Sequence, residues 1–196
     1  MSDPVVEQFE ILKSIADGCN HFECELDSVE TNLIKCRFSG KFLESLEDGK
    51  PHLNDEQKFE FQLPRGFPDQ PPQVFWSTNI EHPNIDPAGK VRLADIGLNW
   101  ESSMGLTVIA ERLWDVARMA FVEQTDATNS SAGRWLEKNQ ELETPLNATQ
   151  FGCGDSMKLE NVFSYRRKSQ VPPKLHPDQV SPQTSNGSDD VFYIGD

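Results

Sequence analysis

At Gly18 the spacing of the apolar residues changes, and that change constrains the fold more than any total. Before it, Ser2 and Asp3 followed by Pro4 form a helix start, and Val5, Phe9, Leu12 and Ala16 recur at helical spacing. After it the period is two. Phe22, Cys24 and Leu26 alternate with Glu23, Glu25 and Asp27, and Ile34, Cys36 and Phe38 alternate with Lys35 and Arg37. A helix with one apolar face, followed by strands with one apolar face, buries both by lying helix on sheet, which predicts an α+β domain. Cys24 and Cys36 then point with the core residues.

Further on, "LESLEDGKPHLNDEQ" reads as a long polar loop, and "KFEFQL" as a third strand with Phe59, Phe61 and Leu63 on one face. A fourth strand, "QVFWST", follows the proline-rich "PRGFPDQPP". These predict a four-stranded antiparallel meander with one face covered by helices. After Gly105, Leu106, Ile109, Ala110, Leu113, Ala117, Ala120 and Phe121 keep to one helical stripe. A shorter helix is expected from Ser131 to Leu142, capped by Asn129 or Ser130 and anchored by Trp135. The expected domain covers residues 1–144. Residues 145–196, rich in Pro, Ser, Gln and Asp toward the end, are expected to form a flexible tail that closes on the apolar "VFYIGD".

Charge narrows the function classes. The formal net charge of the 196 residues is −14. Met1 to Thr144 carries 26 acidic and 13 basic residues, against 6 and 5 from Pro145 onward. Acidity of the front part argues against a nucleic-acid partner and fits a protein partner or a solvated face. No apolar run has transmembrane length, and "MSDPVVEQFEILKSIADG" mixes charged and apolar residues, so a soluble cytoplasmic protein is expected, with no membrane partner. Cys19, Cys24, Cys36 and Cys153 form no C-x-x-C pair and have no histidine at metal-ligand spacing, so neither a metal nor a cofactor is expected and the thiols read as reduced.

The stretch "GFPDQPPQVFWSTNIEHPNIDPAGKV" then carries a resemblance. Its proline-rich loop, fourth strand, Thr-x-Ile-x-His-Pro-Asn segment and glycine turn, followed by the Trp-containing "LNWESSMGLTVIAERL", are similar to the ubiquitin-conjugating enzyme family over residues 5–143. A weaker similarity, in "LWDVAR" and "TNSSAGRW", is to bacterial conjugating-enzyme-like proteins. The resemblance implies the family's fold: an N-terminal helix, a four-stranded meander and two C-terminal helices. It also implies what each position is for. In the family a cysteine thiolate accepts the modifier's C-terminus as a thioester, a lysine amine attacks it, and the Asn of the His-Pro-Asn turn is linked to support of the oxyanion. His82, Pro83 and Asn84 match that turn. His82 and Asn84 equally admit a structural role, bonding their own loop.

The family's cysteine stands eight residues after that Asn, which in this chain is Arg92, flanked by Val91 and Leu93. A guanidinium stays protonated and offers no nucleophile. Two more departures accompany it. Asp69 stands where the family places an aromatic residue that enters a ligase groove, and Glu101-Ser102-Ser103 replaces Ser-Pro-Ala beside Trp100. The resemblance therefore predicts a variant without thioester chemistry, whose vestigial site is His82, Pro83, Asn84 and Arg92. It would bind a ubiquitin-like protein or a conjugation-pathway protein through Asn84, Arg92, Asp69 and Trp100. Arg92 would pair with a carboxylate, or simply be solvated. Two other readings stay open: a thiol enzyme with its cysteine displaced to Cys153 in "FGCGDS", and a scaffold unrelated to ubiquitin-like modifiers.

Overall fold

The computed structural model describes residues 3–152, apart from residue 29, residues 124–126 and residues 140–141. Cys153 and the expected tail beyond it lie outside the described residues. Helix α1, Pro4–Asp17, starts where Asp3 accepts a hydrogen bond from the Val5 N–H at 2.9 Å and Pro4 occupies the first turn. It buries Val5 and Leu12. No helix among the described residues is long and apolar enough to cross a membrane.

Among the described residues five antiparallel strands follow in sequential order: β1 Phe22–Ser28, β2 Leu33–Glu47, β3 Lys50–Gln62, β4 Gln73–Trp76 and β5 Lys90–Val91. The expected four-strand meander is therefore present, with a two-residue fifth strand that pairs Val74 with Val91. A strand that short carries no period for a sequence to display.

The stretch 43–57, expected as a polar loop, is instead the end of a long β2–β3 hairpin. Asp48 and Gly49 form its two-residue turn with φ of 51° and 75°. Positive φ at both positions is the requirement of a type I′ turn, which Asp-Gly meets at little cost. The alternation was hidden because the far end of this ribbon has little to bury: Leu53 is 47% exposed.

Inside the sheet the aromatic residues form a continuous layer. Phe38 lies with its ring centroid 4.7 Å from Phe59, 5.1 Å from Trp114 and 5.6 Å from Phe22. Such pairs add roughly 0.5–1.5 kcal/mol each beyond the area they bury. Trp114 belongs to helix α2, Leu106–Ala117, whose stripe of Leu106, Ile109, Ala110, Leu113 and Ala117 is buried as its spacing predicts. The helix ends sooner than that spacing does, because Met119 adopts the left-handed region at φ 61°. The turn carries Phe121 out of the helix and toward the His82 region.

Helix α3 spans Ser130–Lys138, short of the expected Leu142, with Asn129 as its cap. Its buried residues are Ala132 and Gly133. Trp135, the expected anchor, is half-buried and donates from Nε1 to the Gly49 carbonyl at 2.8 Å, so it braces the hairpin turn. Residues 145–152, assigned to the tail by composition, are seated on the core. Arg118 donates to the Asn147 carbonyl, Trp114 donates to that of Thr149, and the Phe151 ring meets Phe22 at 5.1 Å. One aromatic residue in a polar stretch is too weak a pattern to mark this in sequence.

Candidate functional site

The segment after β4 returns across the sheet and is tied down where the Glu81 N–H meets the Leu43 carbonyl at 3.0 Å. His82 and Asn84 follow, 0% and 1% exposed. The Asn84 backbone N–H donates to His82 Nδ1 at 3.0 Å, which leaves the proton on Nε2, and Nε2 donates to the Phe121 carbonyl at 3.0 Å. Burial pushes the imidazole down to about 4, against the opposing pull of the Phe121 carbonyl, so His82 is a neutral bridge at physiological pH.

Asn84 is committed in the same direction. Its Nδ2 donates to the Glu123 carbonyl at 2.9 Å, and its Oδ1 accepts the Glu123 N–H at 2.8 Å. The Pro83 carbonyl accepts the Asn129 N–H at 2.8 Å, while Asn129 caps α3 through Ala132 and reaches Glu81 Oε1 at 3.0 Å. The turn thus splices two distant stretches, 121–123 and the start of α3, onto the end of β4. Of the two sequence readings for these residues, the structural one describes the contacts, although the bonds run mainly to residues nearly forty positions away rather than within the loop.

Arg92 lies on the other side of a glycine turn. Gly89, at φ 81°, passes so close to Trp76 that an added Cβ would sit 2.3 Å from the Trp76 carbonyl oxygen, so β4 and β5 can pair only with glycine there. β5 then ends at Val91, and Arg92 opens a short 3-10 helix, Leu93–Ile96. Its Nε donates to Asp95 Oδ2 at 2.7 Å and its Nη2 to Thr128 Oγ1 at 3.2 Å. Thr128 Oγ1 donates in turn to the same Asp95 oxygen at 2.5 Å. The Arg92 side chain is nevertheless 62% exposed. A wet pair of this kind adds between nothing and about 1 kcal/mol to stability. It fixes direction more than it stabilises.

Arg92 borders an open groove of about 460 Å³ whose apolar lining includes Pro71, Pro72, Phe75, Leu98 and Trp100. Trp100 is partly spent on the protein itself: Nε1 donates to the Pro68 carbonyl at 3.0 Å, and the ring meets Phe67 at 5.8 Å. Of the predicted partner-binding residues, then, Arg92 and Trp100 share a groove. Asn84 is buried on Glu123, and Asp69 is exposed on the proline-rich loop and does not line the groove. Sequence reading missed Asp95 and Thr128. Asp95, three residues after Arg92, carried a short-range charge signal, whereas nothing in the sequence links Thr128 to position 92.

The thiols of Cys24 and Cys36 are poor nucleophiles. Burial raises Cys24 to about 11 and Cys36 well above its ordinary range. Cys19 Sγ lies 3.2 Å and 3.3 Å from the two ring nitrogens of His21. Burial lowers the His21 pKa, against the opposing pull of the Gln150 backbone.

Fold and site together define a domain built like a ubiquitin-conjugating enzyme. Residues 34–149 match the protein-family model described as ubiquitin-conjugating enzyme, and the chain belongs to that family. Among curated relatives, "Ubiquitin-conjugating enzyme E2 22" of Arabidopsis thaliana is 29% identical over 93 residues, which cover 46% of this chain and 36% of that one. "Ubiquitin-conjugating enzyme E2 S" of Branchiostoma floridae is 28% identical over 45% of this chain and 40% of its own length. "Ubiquitin-conjugating enzyme E2 T" of Homo sapiens is 27% identical over 65% of this chain and 77% of its own length. The chain thus spans well under half the length of the first two. A ubiquitin-conjugating enzyme E2 domain from Toxoplasma gondii superposes with a TM-score of 0.52 at 16% identity, over 70% of this chain and 87% of the other.

Proposed function

We propose that this chain performs no thioester chemistry and binds a ubiquitin-like protein, or another protein of the conjugation pathway, along the groove beside Arg92. One observation carries the reading: Arg92, which the family resemblance puts at the nucleophile's position, is fixed by Asp95 and Thr128 beside an open apolar groove. An arginine there cannot form an acyl bond, but it can meet a carboxylate in a charge-assisted pair while apolar residues of the same segment lie against Leu98 and Trp100. Cys24 and Cys36 add support, since burial disfavours the thiolate of both.

Titration of the isotope-labelled chain with ubiquitin tests this. Amide shifts are expected at Arg92, Leu98 and Trp100, weakened by Arg92→Glu and by removing the C-terminal residues of ubiquitin. Shifts that ignore both changes, or no shifts at all, would reject the groove as the binding site for this class of partner.

A further inference from the structure

Cys24 and Cys36 face each other directly across β1 and β2. The kind of pairing follows from one neighbouring bond. The Ser39 N–H donates to the His21 carbonyl at 3.0 Å, and the register pairs Phe22 with Phe38, so His21 and Ser39 form a hydrogen-bonded pair. Pairs alternate along an antiparallel ladder, which makes Glu23 with Arg37 hydrogen-bonded and leaves Cys24 with Cys36 non-hydrogen-bonded by the same count that leaves Phe22 with Phe38 so. More simply, successive opposite pairs alternate, and the cysteines sit one full repeat from Phe22 and Phe38. In such a pair the Cα atoms approach to about 4.5 Å and the side chains lie on one face. That separation falls within the range a disulfide spans, roughly 4.4–6.8 Å.

Both sulfurs are free and both lie on the inner face, Cys36 in the core and Cys24 half-buried at its edge. We infer that Cys24 and Cys36 form an oxidisable pair, a cross-strand disulfide site that staples the edge strand β1 to β2. The inference does not depend on the proposed binding function.

A peroxide supplies the oxidant. The Cys24 thiolate attacks one peroxide oxygen, giving a sulfenic acid and releasing hydroxide, which takes up the thiol's proton as water. Cys36 then displaces the sulfenic hydroxyl, its own proton leaving in a second water. Two thiols are oxidised by two electrons and one peroxide becomes two waters. The half-exposed Cys24 reacts first because an oxidant can reach it. Lys13, Asp17 and Glu10 of α1 are the charged groups around it, and burial keeps its thiolate scarce near neutrality. Oxidation is therefore slow at neutral pH, and its rate rises about tenfold per pH unit while the pH stays below about 11.

Peroxide treatment of the folded full chain, then alkylation and peptide mapping without reductant, tests the pair. A Cys24–Cys36 cross-link is expected, retained in the Cys19→Ser/Cys153→Ser double variant and accompanied by a rise of several degrees in Tm. Cys24→Ser should abolish both cross-link and rise while leaving the reduced fold intact. A different partner for Cys24, or Cys24 and Cys36 both recovered alkylated after prolonged oxidation at pH 9, would overturn the inference.

Discussion

The turn at His82 to Asn84 and the corner at Arg92 lie within one short stretch of chain, yet they are held in different ways. At the turn the side chains of His82 and Asn84 are buried and bond to backbone, His82 to Phe121 and Asn84 twice to Glu123, and the Pro83 carbonyl takes the Asn129 N–H. At the corner the bonds run from side chain to side chain, and Arg92 is 62% exposed. A buried polar network is costly to break because each lost partner strands another group, whereas exposed groups fall back on solvent. The difference fits the proposal that the frame is kept while the reaction is not. The His-Pro-Asn turn ties residues 121–123 and the start of α3 to the end of β4, while Arg92 reaches Asp95 and Thr128 through a largely exposed side chain.

Acid should strain that contrast most. His82 is held near 4 in the folded protein against 6.5 when unfolded, so between those values the unfolded chain binds more protons. Its contribution is intact above about pH 6.5 and is lost as the pH falls toward 4, by about 3 kcal/mol in all. Urea denaturation at pH 7 and pH 4.5 should show this loss reduced in His82→Gln, and equal losses in the two proteins would remove His82 as the acid-sensitive group. Asn84→Ala comes next. Leaving both Glu123 backbone groups without the side chain that matches them should cost about 2 kcal/mol, lowering Tm by several degrees. At the corner, Arg92→Ala should cost under about 1 kcal/mol, and Thr128→Val a few tenths. An Arg92 variant as damaging as Asn84→Ala would dissolve the distinction between the two regions.

How much of this was legible in the sequence varies with how much each feature buries. The α1 start, the alternation of β1 and β2 and the stripe of α2 announce themselves because one face of each meets the core. The hairpin beyond Leu43 does not, since its far end is wet on both faces and only Asp-Gly marked the turn. The end of α2 was also misplaced: Ala120 and Phe121 keep the helical spacing by coincidence, and the left-handed Met119 that stops the helix is an unfavoured choice which no residue preference announces. At the site, Arg92 and the turn were readable from local order. The partners Glu123 and Thr128 were not, because backbone pairing and a lone threonine contact across more than thirty residues leave no periodic trace.

The central claim is that the frame of the site is kept while its chemistry is gone. Its most direct test mixes the full chain with ubiquitin, a ubiquitin-activating enzyme and ATP, and resolves the products with and without reductant beside a cysteine-bearing conjugating enzyme. The account predicts a reductant-sensitive adduct for that control and none for this chain, in wild type and in Cys153→Ala alike. An adduct on the wild-type chain that vanishes with reductant and with Cys153→Ala would contradict it, and would make the displaced cysteine the nucleophile.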